Sequence, residues 1–560
     1  SARSRLLSTQ IGMGLILGQL ALSYILTWGA RVMGASVSRS VSDYMKMRDE
    51  MLELELTTTV GSKVKLSQDE LEVDRALRVM KEAEYNKGSS QLFPGSSHFF
   101  HYNKYIQTTP LFDFFRHLPK GAVLHCHDIA LVSLDFVTDV LLRRPNLYVC
   151  WENRGRADET IAFRFLRTGN SSLVNCDWVL VDDVRKEIGH AQFDGLALRH
   201  LSLVVDNPEE VYPDESTVWS RFEYALGVLL GVITYVDVFP VYNRELLKQF
   251  YLDNVLYLEM RGFIPQLYDL DENILPHETT IKSYKAVSDD FVRETNGDFL
   301  GMRYIATGFK SDSPEVVQSF LELTAALQAK YPDFILGFDL VGQETAGRPL
   351  VDFSEVLLQG RDRYGMKYFL HAGETAQQGT KFDENLLDAV LLNSTRIGHA
   401  FALNRHPVVK GVVMRKQIAI EVNPISNQVL NLVKDLRNHP AVQMIEEGLP
   451  VVISSDDFAT WDSTPLTHDF YITYLVLSGR RGDLRTIKQL AINSLLFSEL
   501  NKEEKQKALT IWNKKWNRYI RDSVGRYSSD NNINSYGDPD GDGKQLKTKN
   551  KTHKLKTEKI

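Results

Sequence analysis

The first pattern along the chain is an uncharged apolar run over residues 11–28, preceded by Arg3 and Arg5 and followed by small residues at Gly29, Ala30, Gly34 and Ala35. That order predicts a cleaved signal peptide over 1–35, and the run is also long enough for a retained signal anchor. Helical spacing dominates 36–110. There Ser67-Gln68-Asp69-Glu70 has the form of a capping box, with Leu66 and Leu71 as its hydrophobic staple. From residue 118 the period changes. Short apolar runs at 122–127, 255–260, 302–307, 335–340, 368–371, 396–399, 418–422 and 451–455 alternate with amphipathic stretches such as 314–330 and 384–392. Eight buried-type strands separated by helices predict an α/β chain folded as a (β/α)8 TIM barrel over 111–525. The helical block over 36–110 precedes it, as an appendage on the barrel or on another subunit. His127, Glu259, His371, His399 and Asp456 fall at or near the C-terminal ends of their runs. Barrel enzymes build their sites on that face.

One connection breaks the rhythm. Strands one and two stand roughly 125 residues apart, far beyond a βα unit, and the gap holds Cys150, Asn170 and Cys176. Residues 141–200 are therefore expected to form an inserted subdomain, with Val218 to Tyr235 returning the chain to the barrel as a helix. Of the three cysteines, Cys126 lies between two histidines on a buried strand. In an oxidising compartment this leaves Cys150 and Cys176 to pair. Asn170, Asn393 and Asn550 open N-glycosylation sequons.

The overall balance narrows the class. With 43% hydrophobic and 24% charged residues the 560-residue chain is globular. A net charge of -7 argues against binding a nucleic-acid polymer. The tail over 526–560 is polar and ends Lys-rich. It reads as a disordered, solvated segment, or as a weak site for heparin-like polyanions. Asp538, Asp540, Asp542 and Gly543 imitate the start of an EF-hand loop, but Lys549 stands where the bidentate Glu belongs, which excludes calcium.

Four strings carry the chemistry: His125-Cys126-His127-Asp128, His371-Ala372-Gly373-Glu374, Gly398-His399 and Ser455-Asp456-Asp457. Two apart on a strand, His125 and His127 share a face while Cys126 points away. Alone they could be core histidines; with His371 and Asp456 they make a three-His, one-carboxylate set suited to Zn2+, one per subunit. Zinc lowers the pKa of a water it holds to roughly 7. Glu374, just past His371, is placed to donate a proton, which a dry pocket would favour by raising its pKa. His399 is placed to orient the water, and Asp457 to meet the substrate.

These strings resemble the metal-dependent adenosine/AMP deaminase superfamily. More narrowly, over about residues 40 to 522 and on the strings Gly337-Phe338-Asp339-Leu340-Val341-Gly342, Asn423-Pro424-Ile425-Ser426-Asn427-Gln428 and Asn254-Val255-Leu256-Tyr257, the chain resembles the secreted adenosine deaminase growth factor family. The resemblance implies hydrolysis of adenosine or 2′-deoxyadenosine to the inosine product and ammonia. It implies His125, His127, His371 and Asp456 as metal ligands, Glu374 as proton donor to purine N1, and His399 as the base that orients hydroxide. Asp457 would hold N7, the backbone of Gly342 would meet N3, and Asp128 would bind the ribose. The segment with Trp219 and Glu223 would close over the sugar, although Trp219 also reads as a stacked core aromatic.

A homodimer built on 36–110, a receptor-binding role for 141–200 and an extracellular, secreted location follow from the same resemblance. Three positions depart from the family pattern: Ala400 where Gly follows the catalytic His, Phe458 where Pro is usual, and Gln343 where relatives carry His. The alternative reading is a growth-factor-like paralogue with little deaminase activity, acting on a cell-surface receptor or glycosaminoglycan. A third is another zinc hydrolase, acting on AMP, adenine or a cyclic amide. The intact ligand and acid set favours catalysis.

Overall fold

The computed structural model describes residues 40–87, 93–156, 158–169, 171 and 176–527. The segment 1–35, the sequons at Asn170 and Asn550 and the Lys-rich tail lie outside the described residues. Among those described, no helix is long and apolar enough to cross a membrane. The chain divides into two units, Ser1–Thr58 and Thr59–Ile560, so the expected block over 36–110 is split between them. In the first unit, helix α1 (Val41–Glu55) begins at Ser40, whose hydroxyl accepts the N–H of Asp43. It buries no residue and leaves Val41, Tyr44, Met45 and Met51 exposed.

The second unit opens with helix α2 (Gln68–Lys87), and the expected capping box forms. Ser67 N–H donates to Glu70 Oε2 at 2.8 Å and Glu70 N–H to Ser67 Oγ at 3.3 Å. Such a cap contributes about 1 kcal/mol. The expected staple does not follow: Leu66 packs on the main core while Leu71 stays 42% exposed. Glu70 turns inward, accepting from Trp516 Nε1 and Lys488 Nζ. The next residue, about 100° further round the helix, is thereby directed outward.

All eight expected strand runs are used. Strand β1 (Gly121–Val123) precedes the insertion, in which β2 (Leu147–Glu152), β3 (Thr160–Phe165) and β4 (Trp178–Leu180) pair antiparallel in the order β3-β2-β4. The barrel continues with β5 (Val255–Gly262), β6 (Met302–Phe309), β7 (Ile335–Val341), β8 (His371–Ala372), β9 (Arg396–His399), β10 (Ala419–Val422) and β11 (Val451–Ile453). Two parallel four-stranded sheets result, β1-β5-β6-β7 and β11-β10-β9-β8.

Both seams between the sheets are bonded. A parallel bridge from Phe338 to Tyr368 joins β7 to the chain entering β8. At the other seam Asp456 N–H donates to His125 O at 3.3 Å and Leu124 N–H to Ser454 Oγ at 3.4 Å. Below these, side chains of the helix Leu484–Leu496 satisfy the strand backbones, Ser494 Oγ accepting from Ala122 N–H and Asn493 Nδ2 donating to Val451 O. Burial on every residue of β5 and β7 explains why these strands read as continuous runs rather than alternating ones.

Glu259 is not at the site face. Strand β5 runs three residues further, and the Glu259 carboxylate pairs with Arg396, the first residue of β9, and with the Glu499 N–H. The insertion is closed by a Cys150–Cys176 disulfide, while Cys126 is buried and free. Helices α3 (Val181–Ile188) and α4 (His190–Leu201) follow its sheet, then the long helix α5 (Glu215–Ile233). Edge strand β3 lies on α5 where Gly231 has no side chain, since a Cβ there would overlap Phe163 O. Two N–H groups of this edge find tyrosine hydroxyls, Ile161 with Tyr224 and Phe165 with Tyr268. The insertion is thus fixed to the helix that walls the cavity. The last helix among the described residues, α6 (Lys502–Tyr527), runs just past the expected barrel limit and anchors through Trp512 Nε1 to Pro119 O at 3.0 Å.

Candidate active site

At the C-terminal ends of the barrel strands lies a cavity of about 480 Å³. This is within the range that holds small ligands. His127, His371, Glu374, His399, Asp456 and Asp457 come to it from four strand ends, and Asp128, Gly342, Trp219 and Glu223 complete the expected set on its wall. Every predicted metal or substrate residue therefore lines it except His125, which lies fully buried just beneath. Cys126 is not on the wall, as the strand alternation required.

The imidazoles crowd together. His125 and His371 ring centres are 4.5 Å apart, and His125 and His399 4.8 Å. Asp456 Oδ1 stands 3.6 Å from His125 Nε2 and 3.3 Å from His127 Nε2. His125, His371 and His399 form one group, and His125, His127 and Asp456 another, whose donor atoms lie within 4.8 Å of one another and could hold a metal ion. His125 Nε2 is buried without a hydrogen-bond partner, directed into this cluster. A buried nitrogen left unpaired is costly, and a cation would satisfy it. Burial first holds all four imidazoles well below their ordinary pKa, with Arg261 nearby acting in the same direction, so they are neutral, as metal binding requires of the three candidate ligands among them.

Behind the ligand set lies a charged layer that the sequence reading missed. His125 Nδ1 meets Glu421 Oε2 at 2.7 Å, and His371 Nδ1 meets Asp339 Oδ2 at 2.7 Å. Arg261, fully buried, donates to both carboxylates at 2.8 Å. One guanidinium thus ties the supports of two imidazoles from different strands. The signal was present in the sequence: Arg261, Asp339 and Glu421 are charges inside buried strands, and buried charges must be paired.

Glu374 is positioned by its backbone. Glu344, also missed, accepts the N–H groups of Gly373 and Glu374 at 2.8 and 2.9 Å and pairs with buried Lys310 at 3.2 Å. Burial first, then the charges of Asp456 and Glu344, raise the Glu374 pKa well above the usual carboxylate range, the direction that favours a proton donor. Burial likewise raises Asp457, whose Oδ1 has no hydrogen-bond partner within the protein. His399 Nε2 lies 3.3 Å from Glu374 Oε1. Its aim is set by a tight turn. The Ala400 N–H donates to Gly398 O at 2.7 Å around His399, and both residues take positive φ, 58° and 45°. Strained backbone of this kind clusters at functional sites.

Asp128 Oδ2 receives hydrogen bonds from Tyr284 and Tyr304, each at 2.8 Å, which leaves Oδ1 unpartnered at the cavity. Gly262 makes room for it, because a Cβ there would overlap the carboxylate. Gly262→Ala is therefore expected to displace Asp128. It should raise KM by about 10-fold, the effect of one lost or distorted hydrogen bond to a charged group; unchanged steady-state kinetics would show that Asp128 makes no substrate contact.

The three departures lie off the cavity wall. Ala400 forms the His399 turn, Phe458 packs edge-on against Phe250, and Gln343 donates to Glu215 at the start of α5. Ala400 is in the left-handed region where glycine is unstrained, so Ala400→Gly is expected to stabilise the fold by about 1 kcal/mol, measurable as a higher denaturant midpoint.

The adenosine deaminase family model matches residues 206–513, and the adenosine/AMP deaminase N-terminal model matches residues 30–115. Adenosine deaminase 2-A of Danio rerio is 39% identical over 482 residues, 86% of this chain and 94% of its own length. The chain belongs to the adenosine deaminase family. Adenosine deaminase 2 of Homo sapiens is likewise 39% identical, over 85% of this chain and 93% of its own. An adenosine deaminase of Phlebotomus duboscqi is 38% identical over 86% and 93%. Among solved structures, the Arabidopsis N6-mAMP deaminase superposes with a TM-score of 0.51 at 17% identity, covering 72% of this chain and 99% of that one. At that identity it shares the fold.

Proposed function

We propose that this chain is a secreted, zinc-dependent adenosine deaminase that hydrolyses adenosine and 2′-deoxyadenosine to inosine and 2′-deoxyinosine with release of ammonia. The observation that carries the reading is the buried donor cluster of His125, His127, His371 and Asp456, which opens beside the buried Glu374 carboxyl on a nucleoside-sized cavity. The names of the relatives, and the bound zinc of a Burkholderia ambifaria amidohydrolase of similar fold, agree with it. Zinc, when held by those four residues, supplies an activated water as nucleophile.

The chain's own residues do the rest. Glu374 delivers its proton to purine N1 as C6 is attacked, and His399 fixes the line of approach. Asp457 meets N7, the Gly342 backbone meets N3, and Asp128 Oδ1 accepts from a sugar hydroxyl. Trp219 and Glu223, on α5, cover the sugar side. The experiment is a joint measurement of metal content and loss of adenosine absorbance on one purified sample. Zinc-loaded protein that leaves both nucleosides unchanged would refute the reading.

Arg261→Lys, which can reach one carboxylate but not both, is expected to lower zinc affinity by about 10- to 100-fold, measured by chelator competition. The disulfide and the exposed sequon at Asn393 fit an extracellular setting, where Asn393 would carry a glycan. A homodimer is proposed through the segment that includes α1, whose apolar side chains find no cover within the helix.

A further inference from the structure

Behind His399 runs a chain of hydrogen bonds whose direction is set by the backbone. The N–H of Ala441 can only donate, and it meets His439 Nδ1 at 3.0 Å. His439 is buried, and burial pushes its pKa down to about 3, so it carries a single proton. With Nδ1 accepting, that proton is on Nε2, which lies 3.0 Å from Asn427 Oδ1. The Asn427 amide is thereby oriented, its nitrogen facing His399 Nδ1 at 2.9 Å. Each bond leaves the next group one role.

The far end agrees independently. His399 Nε2 also faces Asp456 Oδ2 at 3.6 Å, a carboxylate oxygen that suits an N–H and would repel a lone pair, while Glu374 Oε1 at 3.3 Å can meet either form. His399, Asn427 and His439 are all buried, so no solvent competes with the chain.

We propose that the relay from Ala441 through His439 and Asn427 locks His399 in its Nε2–H tautomer, so that His399 gives a hydrogen bond to the attacking oxygen instead of taking its proton. Its free lone pair, on Nδ1, is turned to Asn427 and away from the substrate. This revises the role of base that family resemblance assigns to His399. It makes Asn427 and His439 positioning residues that act through His399. Only the consequence for turnover rests on the deaminase reading; the tautomer does not.

The test uses full-length, zinc-loaded protein labelled with 15N-histidine, His399 being assigned from its absence in His399→Gln. The expected spectrum has a pyrrole-type Nε2 and a pyridine-type Nδ1. Asn427→Asp replaces the donor with an acceptor and draws the proton to Nδ1. The signature should invert, and kcat should fall by about 100- to 10,000-fold, the range over which a misplaced catalytic proton is felt, with KM for adenosine little changed. His439→Leu releases the amide to rotate and should give both tautomers. His439→Gln retains an N–H donor, so it should keep the Nε2–H form and turn over faster than His439→Leu.

This second pair decides the question if Asn427→Asp does not fold. A pyridine-type Nε2 in the unmutated protein overturns the proposal, as does an inverted tautomer with undiminished kcat. If the unmutated protein leaves adenosine untouched, the deaminase reading fails while the spectrum still answers for the relay.

Discussion

Glu374→Gln lowers turnover by roughly 100- to 10,000-fold and leaves the metal in place. The side chain keeps its size and its backbone anchors on Glu344, and it is not among the donor atoms that could hold the ion. What is lost is the proton. The unmutated enzyme also has a directional pH response. Burial, Asp456 and Glu344 raise the Glu374 pKa, so the active, protonated form persists above the usual carboxylate range and is lost as pH rises through the raised value. The rate therefore has an alkaline limb that Glu374→Gln, which does not titrate, lacks. Metal content by elemental analysis and a pH–rate profile of both proteins check the two claims. A variant that loses its metal would transfer Glu374 from acid to ligand.

His125→Ala is the second large effect. It removes a fully buried imidazole whose Nε2 has no hydrogen-bond partner, and takes one of three side-chain partners from the Glu421 carboxylate, which keeps Arg261 and Arg396. Loss of supporting residues typically weakens metal binding by about 10- to 100-fold; loss of a ligand should exceed that. The expected result is protein that retains little zinc after dialysis and has turnover near background. Leaving Glu421 with one fewer partner should also lower the melting temperature of the metal-free form. Full zinc occupancy in His125→Ala would exclude His125 from the ligand set.

The strands and the four catalytic strings were legible because both are local. A run of apolar residues reports burial, and a histidine at its end reports the face. The capping box at Ser67 was read for the same reason, whereas its staple failed because Glu70 is held by Trp516 and Lys488, hundreds of residues away. The supporting layer was harder. Arg261, Asp339 and Glu421 belong to three strands, and their pairing exists only once the barrel closes. Glu259 illustrates the limit: its strand was recognised, but the extra turn of strand beyond it was not, and its side chain serves the opposite end of the barrel. Asn427 lay within a string recognised as family-like, yet its direction of donation depends on a backbone N–H at Ala441.

The seam between β1 and β11 has a consequence of its own. At this seam His125 and Asp456, both among the donors that could hold a metal ion, share a backbone bond. An ion held by these two residues would also act as a clasp on a ring whose ends are hundreds of residues apart in sequence. Cross-links that close long loops constrain the unfolded chain most. Metal loading should therefore slow amide hydrogen exchange at Asp456 and Leu124 more than at the central strands β6 and β7. The same ion that readies the reaction would then hold the barrel shut.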